Sequence, residues 1–208
     1  MSKDIIVFTL HKSASMFIHE QCEKLTKLCG ISYYSPNNPT MGMDAFQILT
    51  NKKIWLNKSG CFGPIRFFVE VPNIEDYAII LHLRDPRDVL VSMFYSYCFI
   101  HPGKVQPNTS YRKAIAENGI DQFVLNKATN YPIWIEKFIE PFPLIDKRSV
   151  IKRFVSDYQH EFVILGEDRL QHKRHVIPGD FRIKLKEKII IELNNLFRDV
   201  LSVLGYDE

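Results

Sequence analysis

The sequence predicts an α/β fold, a parallel sheet with helices on both faces. Three observations carry that prediction. Ile5-Ile6-Val7-Phe8 is an unbroken apolar run that passes through a short polar turn into helical periodicity. Residues 77–83 repeat the order, an apolar strand followed by a helix start. Glu161-Phe162-Val163-Ile164-Leu165 is a further buried strand, and an amphipathic helix follows it over residues 185–204. Strands that alternate with helices need crossover connections, which place the helices over a parallel sheet. The 208 residues suggest a single domain, 1–208, with a sizeable core and no repeat or linker that divides it.

The first strand runs into His11-Lys12-Ser13-Ala14-Ser15, a turn of small and basic residues. Ile18, Cys22, Leu25 and Cys29 then recur at helical spacing. A strand that feeds a helix through such a turn aims free N–H groups and the positive end of the helix dipole at one point. Lys12 adds charge, Ser13 and Ser15 add hydroxyl donors, and the small Ala14 lets an anion approach the backbone. Two readings stand: a phosphate or sulfate cradle, or an ordinary strand–helix junction with Ser13 or Ser15 as N-cap. Of the Walker pattern G-x-x-x-x-G-K-[ST] only Lys12-Ser13 is present, so a wrap around a nucleoside triphosphate is not supported.

Ser35-Pro36-Asn37-Asn38-Pro39 opens a turn-rich loop, a substrate lid or a plain connection. Gly60-Cys61-Phe62-Gly63-Pro64 reads as a turn and residues 65–71 as a strand. Glu70 is a lone carboxylate near that strand's end, either a general base or a structural ion-pair partner. The strand over residues 77–83 contains His82 and leads to Arg84-Asp85-Pro86-Arg87-Asp88. There Asp85 suits an N-cap and Pro86 the first helical turn. Arg84 with Ser92 makes a second anion site, or an Arg84–Asp88 or Arg87–Asp85 ion pair closes the turn. Residues 102–146 are aromatic-rich, and Tyr131 and Trp134 are either core or an acceptor pocket. Residues 148–158 suggest a short helix. In the final helix Ile189, Leu193, Leu196, Phe197, Val200 and Leu204 form the apolar stripe, and Gly205 suits a C-cap.

A net charge of +3 does not argue for wholesale nucleic-acid binding but tolerates an anionic ligand. The four cysteines show no zinc spacing; Cys22 and Cys29 read as core thiols in a reducing compartment. No apolar run reaches the ~18–20 residues of a membrane span, and Met1-Ser2-Lys3-Asp4 has no signal-peptide plan. The expectation is a cytoplasmic protein.

Taken together, these motifs resemble those of the sulfotransferases that use 3′-phosphoadenosine 5′-phosphosulfate. His11-Lys12-Ser13-Ala14-Ser15-Met16-Phe17 resembles the family's P-K-S-G-T-T-W. Arg84-Asp85-Pro86-Arg87-Asp88-Val89-Leu90-Val91-Ser92 is similar to R-(D/N)-P-(R/K)-D-V-x-V-S at every fixed position. Arg174-His175-Val176-Ile177-Pro178-Gly179-Asp180-Phe181 resembles R-K-G-x-x-G-D-W, and Leu204-Gly205-Tyr206 the closing L-G-Y. The resemblance implies a three-layer α/β/α fold with a central mainly parallel sheet, of the P-loop NTPase-like sulfotransferase type. It implies that Lys12, Ser13, Ala14, Ser15 and Met16 surround the 5′-phosphosulfate and that Phe17 lies near adenine. Arg84 and Ser92 would hold the 3′-phosphate, helped by Arg174 and His175. Phe68-Val69-Glu70-Val71-Pro72 resembles the K-T-H-x-P strand with Glu70 in the histidine's place, so Glu70 is the expected base and His82 and His101 the reserves. The chain departs from the family at Met16, for threonine, at Ala14, for glycine, and at His175-Val176, for Lys-Gly.

The implied reaction is in-line transfer of a sulfuryl group to a hydroxyl or amine of a small, partly apolar acceptor. Glu70 takes the proton, Lys12 and backbone N–H groups stabilise the leaving phosphate, and the desulfated donor, adenosine 3′,5′-bisphosphate, is released. No metal is expected. The alternatives are a P-loop kinase, which needs a Mg²⁺ carboxylate and a glycine-rich loop, and a non-catalytic nucleotide-binding protein on the same fold. The family's short dimerisation motif K-x-x-x-T-V-x-x-x-E is absent, which leaves the oligomeric state open.

Overall fold

In the computed structural model of the protein, the first apolar run forms β1 (Ile5–Thr9), buried from residue 6 onward. The structure describes residues 4–35, 59–66, 69, 71, 73–100, 109–131, 135 and 178–206. The predicted strand at 161–165, the predicted helix at 148–158, most of the turn-rich loop after Ser35 and Trp134 lie outside them. The chain divides into two compact units, Met1–Leu83 and Arg84–Glu208.

The first unit holds β1, α1 (Ser15–Cys29), β2 (Tyr33–Tyr34), β3 (Cys61–Ile65) and β4 (Ala78–His82). The strands form one sheet in the order β2-β3-β1-β4, with every pair parallel. The α/β class read from the sequence is therefore observed. Val7, Ile18 and Cys61 form a buried cluster against which Ile5, Phe17, Cys22 and Tyr33 pack, fastening α1 to the sheet. Full burial of such an aliphatic side chain contributes about 1.5–3 kcal/mol.

Two expectations for this unit are corrected. The predicted turn at 60–64 is mostly strand β3, which ends at Ile65; Arg66, Val69 and Val71, the other described residues of the strand expected over 65–71, are not in a strand. Gly63 is there for proximity rather than for turning. Its φ is +129°, and a Cβ would lie 2.4 Å from the Val7 carbonyl oxygen, where the β1–β3 register shifts between Ile6 and Phe8. The buried face of α1 is Ser15, Ile18 and Thr26 with Cys22 half-buried, whereas Leu25 is 58 % exposed and Cys29, expected in the core, is exposed too. A 15-residue helix is about 22 Å long. A five-residue strand such as β1 spans only about 17 Å, so the helix is longer than the strand that feeds it.

The second unit begins with α2 (Pro86–Tyr95), which continues as a π-helical turn over Ser96–Ile100. Next comes α3 (Thr109–Ala128), broken at Gly119, whose φ of +76° is left-handed. Then follow α4 (Phe181–Lys184), α5 (Glu187–Leu196) and α6 (Arg198–Leu204). The helix predicted over 185–204 is thus two helices. Phe197, at φ −102° and ψ 10°, interrupts the spiral while its own side chain stays fully buried. The break re-phases the stripe: Leu201 is buried, and Leu196, expected inside, is 44 % exposed. Gly205 caps α6 in the left-handed conformation, as expected. No helix among the described residues is long and apolar enough to cross a membrane.

Candidate functional site

Parallel pairing gathers three strand ends of the first unit on one edge. Thr9 pairs with His82, and Phe8 with Ile65. His82 therefore ends β4, and Arg66 follows β3, on the edge where β1 leaves the sheet. Ligands of open parallel sheets sit beyond this edge.

The turn after β1 is held in an unusual conformation. Lys12 and Ala14 have φ of +67° and +53°. Left-handed backbone costs an L-residue about 1–2 kcal/mol, and it persists only where surrounding bonds impose it. Here the Ser13 N–H donates to the Leu10 carbonyl at 3.1 Å, and the Thr9 hydroxyl donates to the Ser13 carbonyl at 3.3 Å. The expected serine N-cap is corrected: the N-cap is Ala14, and no side chain caps the helix. Ser13 is turned inward and fully buried, and its hydroxyl has no hydrogen-bond partner among the described residues. Ser15 is the first helical residue. The first helical bond runs from the Ile18 N–H to the Ala14 carbonyl at 3.1 Å, so the Ser15 and Met16 N–H groups have no acceptor within the helix. Ala14 and Met16 are exposed, and Lys12 and Phe17 are half-buried.

Arg66 is the residue that sequence reasoning missed. Its Nη2 lies 3.5 Å from the Met16 sulfur in the first turn of α1, and burial presses the guanidinium pKa below its usual range. The signal was a basic residue one step past a strand, hidden while that strand was expected to run on to residue 71.

In the second unit the start of α2 is built as expected. Asp85 accepts from the Arg87 N–H at 2.9 Å, and Pro86 occupies the first turn. Both ion pairs weighed from the sequence form: Arg87–Asp85 at 2.7 Å and Arg84–Asp88 at 3.4 Å. Arg87 is committed to the fold. It also donates to the Asn194 side chain at 2.7 Å and the Tyr206 carbonyl at 3.3 Å, and lies 4.2 Å from the Phe181 ring centroid. Asp88, almost fully buried, accepts from the N–H groups of Gly179 at 2.9 Å and Phe181 at 3.1 Å. Burial pushes its carboxyl pKa up, against the pull of Arg84 and those two donors. Arg84 keeps 18 % of its side chain exposed. Ser92 is half-buried on α2. Tyr131 is buried with a hydroxyl that has no hydrogen-bond partner among the described residues; burial pushes its pKa up while Arg84 pulls it down. Burial likewise pushes Tyr206 up to about 12.

The first unit thus brings Lys12, Ala14, Ser15, Met16 and Phe17 together with Arg66 and His82 on one edge, and turns Ser13 inward. The second unit groups Arg84, Asp88 and Tyr131. Glu70, Arg174, His175 and His101 lie outside the described residues. No protein-family model, curated protein or solved structure matches the chain.

Proposed function

We propose that the chain is a sulfotransferase that moves a sulfuryl group from 3′-phosphoadenosine 5′-phosphosulfate to a hydroxyl or amine of a small acceptor, on a three-layer fold of the P-loop-like sulfotransferase type. The observation that carries the reading is the left-handed backbone of Ala14. Ala14 stands where the resembling motif has glycine, and glycine is the residue that adopts that conformation without strain. Motif and local geometry therefore agree at a position where the side chain alone says nothing. The uncapped start of α1 and Lys12 supply positive potential for the 5′-phosphosulfate. In this reading Arg84 and Ser92, with Arg174 and His175, take the 3′-phosphate. Glu70 accepts the acceptor's proton, with His82 in reserve. Charge that develops on the leaving oxygen is met by Lys12 and by backbone N–H groups.

The test is thermal stabilisation by adenosine 3′,5′-bisphosphate. At a hundred times its Kd a ligand adds about 2.7 kcal/mol, a rise of about 5–10 °C for a chain of this size. No shift at millimolar nucleotide refutes the reading. A second reading, nucleotide binding without transfer, is favoured by one observation. The inward Ser13 hydroxyl and Met16 in place of threonine remove two hydroxyls from the cradle. Binding without turnover across a broad acceptor panel decides for it.

A further inference from the structure

We propose that Arg66 is a second cation of the turn after β1, a binding residue for the tetrahedral oxyanion held there: the 5′-phosphosulfate of the donor and the 5′-phosphate of its product. The inference rests on the donor reading and adds a residue to it from outside the quoted motifs. Three observations on the first unit carry it. The pairing of Phe8 with Ile65 puts Arg66 immediately beyond β3, beside the place where β1 enters the turn. The Arg66 Nη2 lies 3.5 Å from the Met16 sulfur, so the guanidinium reaches the side chain of the second residue of α1, in the turn whose Ser15 and Met16 N–H groups have no acceptor within the helix. The side chain is half-buried, and a charge shielded from water acts on a neighbouring anion more strongly than a solvated one.

The chemistry follows from the fork of the guanidinium. A thioether is a weak acceptor, whereas the oxygens of a sulfate or phosphate accept two parallel N–H bonds from arginine. An arriving oxyanion outcompetes the Met16 sulfur for the same nitrogen.

The experiment uses the full chain, wild type against Arg66→Gln and Arg66→Lys, each first shown to fold by circular dichroism and a urea midpoint. Binding is measured for adenosine 3′,5′-bisphosphate, adenosine 3′-monophosphate and inorganic sulfate. Arg66→Gln is expected to weaken the bisphosphate about 10- to 100-fold and to leave the 3′-monophosphate, which has no 5′ group, unchanged. Arg66→Lys, which keeps charge but loses the fork, falls between. Equal weakening of both nucleotides means that Arg66 acts only through the fold, and overturns the inference. Unchanged binding of the bisphosphate overturns it too, and leaves the donor reading standing. If wild type ignores both nucleotides but is stabilised by sulfate, and Arg66→Gln is not, the donor reading fails and the role of Arg66 holds. If wild type responds to none of the three probes, both fall.

Discussion

Replacing Ala14 by glycine is expected to stabilise the protein, because Ala14 is a left-handed N-cap. At φ +53° the Ala14 Cβ crowds its own backbone, a cost of about 1–2 kcal/mol that glycine does not bear. Glycine in turn loosens the unfolded chain, which costs about 0.4–1 kcal/mol. Ala14 is exposed, so no packing is lost with its methyl group. The net gain is about 0.5–1 kcal/mol, a rise in Tm of about 1–4 °C for a chain of this length. Urea unfolding monitored by circular dichroism measures it, with the slope checked so that a change in midpoint reads as a change in stability. Ala14→Val is the control: a β-branched residue at positive φ costs more than alanine. If glycine destabilised the protein by about 1 kcal/mol while valine were tolerated, Ala14 would not be left-handed. The structural support for the donor cradle would go with it.

Other outcomes follow from the same geometry. If the proposed reaction holds, Lys12→Ala lowers sulfate transfer about 10²- to 10³-fold, the usual cost of one donor at a developing negative charge, and Arg84→Ala acts mainly on nucleotide affinity. Isothermal calorimetry beside single-turnover rates separates the two. Gly63→Ala should cost about 2–5 kcal/mol, because its Cβ would meet the Val7 carbonyl at 2.4 Å in the middle of the sheet; a urea midpoint within error of wild type would contradict the β1–β3 approach. Asp88→Asn leaves one acceptor oxygen for two backbone donors and is expected to cost about 2–4 kcal/mol. The pH dependence of that difference has a definite sign. Burial raises the folded-state pKa of Asp88 above the unfolded value of about 3.9. Its contribution is therefore fully present below that value and is lost as pH rises through the folded one. The stability gap between wild type and Asp88→Asn should narrow as pH rises above about 4, and a widening gap would reverse the assigned shift.

What the sequence disclosed was set by local chemistry. β1 is an apolar run with one outcome, and the Asp85-Pro86 start of α2 is written in adjacent residues. The left-handed turn was legible only as a run of small residues, since nothing in Ala14 itself announces positive φ. β3 was misread because Gly63 and Pro64 usually punctuate a chain, and the need for Gly63 comes from Val7, a distant neighbour. That misreading displaced the strand's end and hid Arg66. The break at Phe197 was invisible because Phe197 fits the apolar stripe on either side of it. Whether Arg84 or Arg87 would be held inside was open in the sequence. Part of the answer lies in the N–H of Gly179, 91 residues beyond Asp88.

Arg87 has a consequence for how the second unit behaves as a mechanical object. One planar group rivets the first turn of α2 to the last turn of α5 and to the backbone just after α6. Movement of any one of these segments must drag the others or shear a charged contact that is closed off from solvent. Slow amide exchange at Arg87 should therefore rise and fall together with that at Asn194 and Tyr206, as a single opening event, although the three are far apart along the chain.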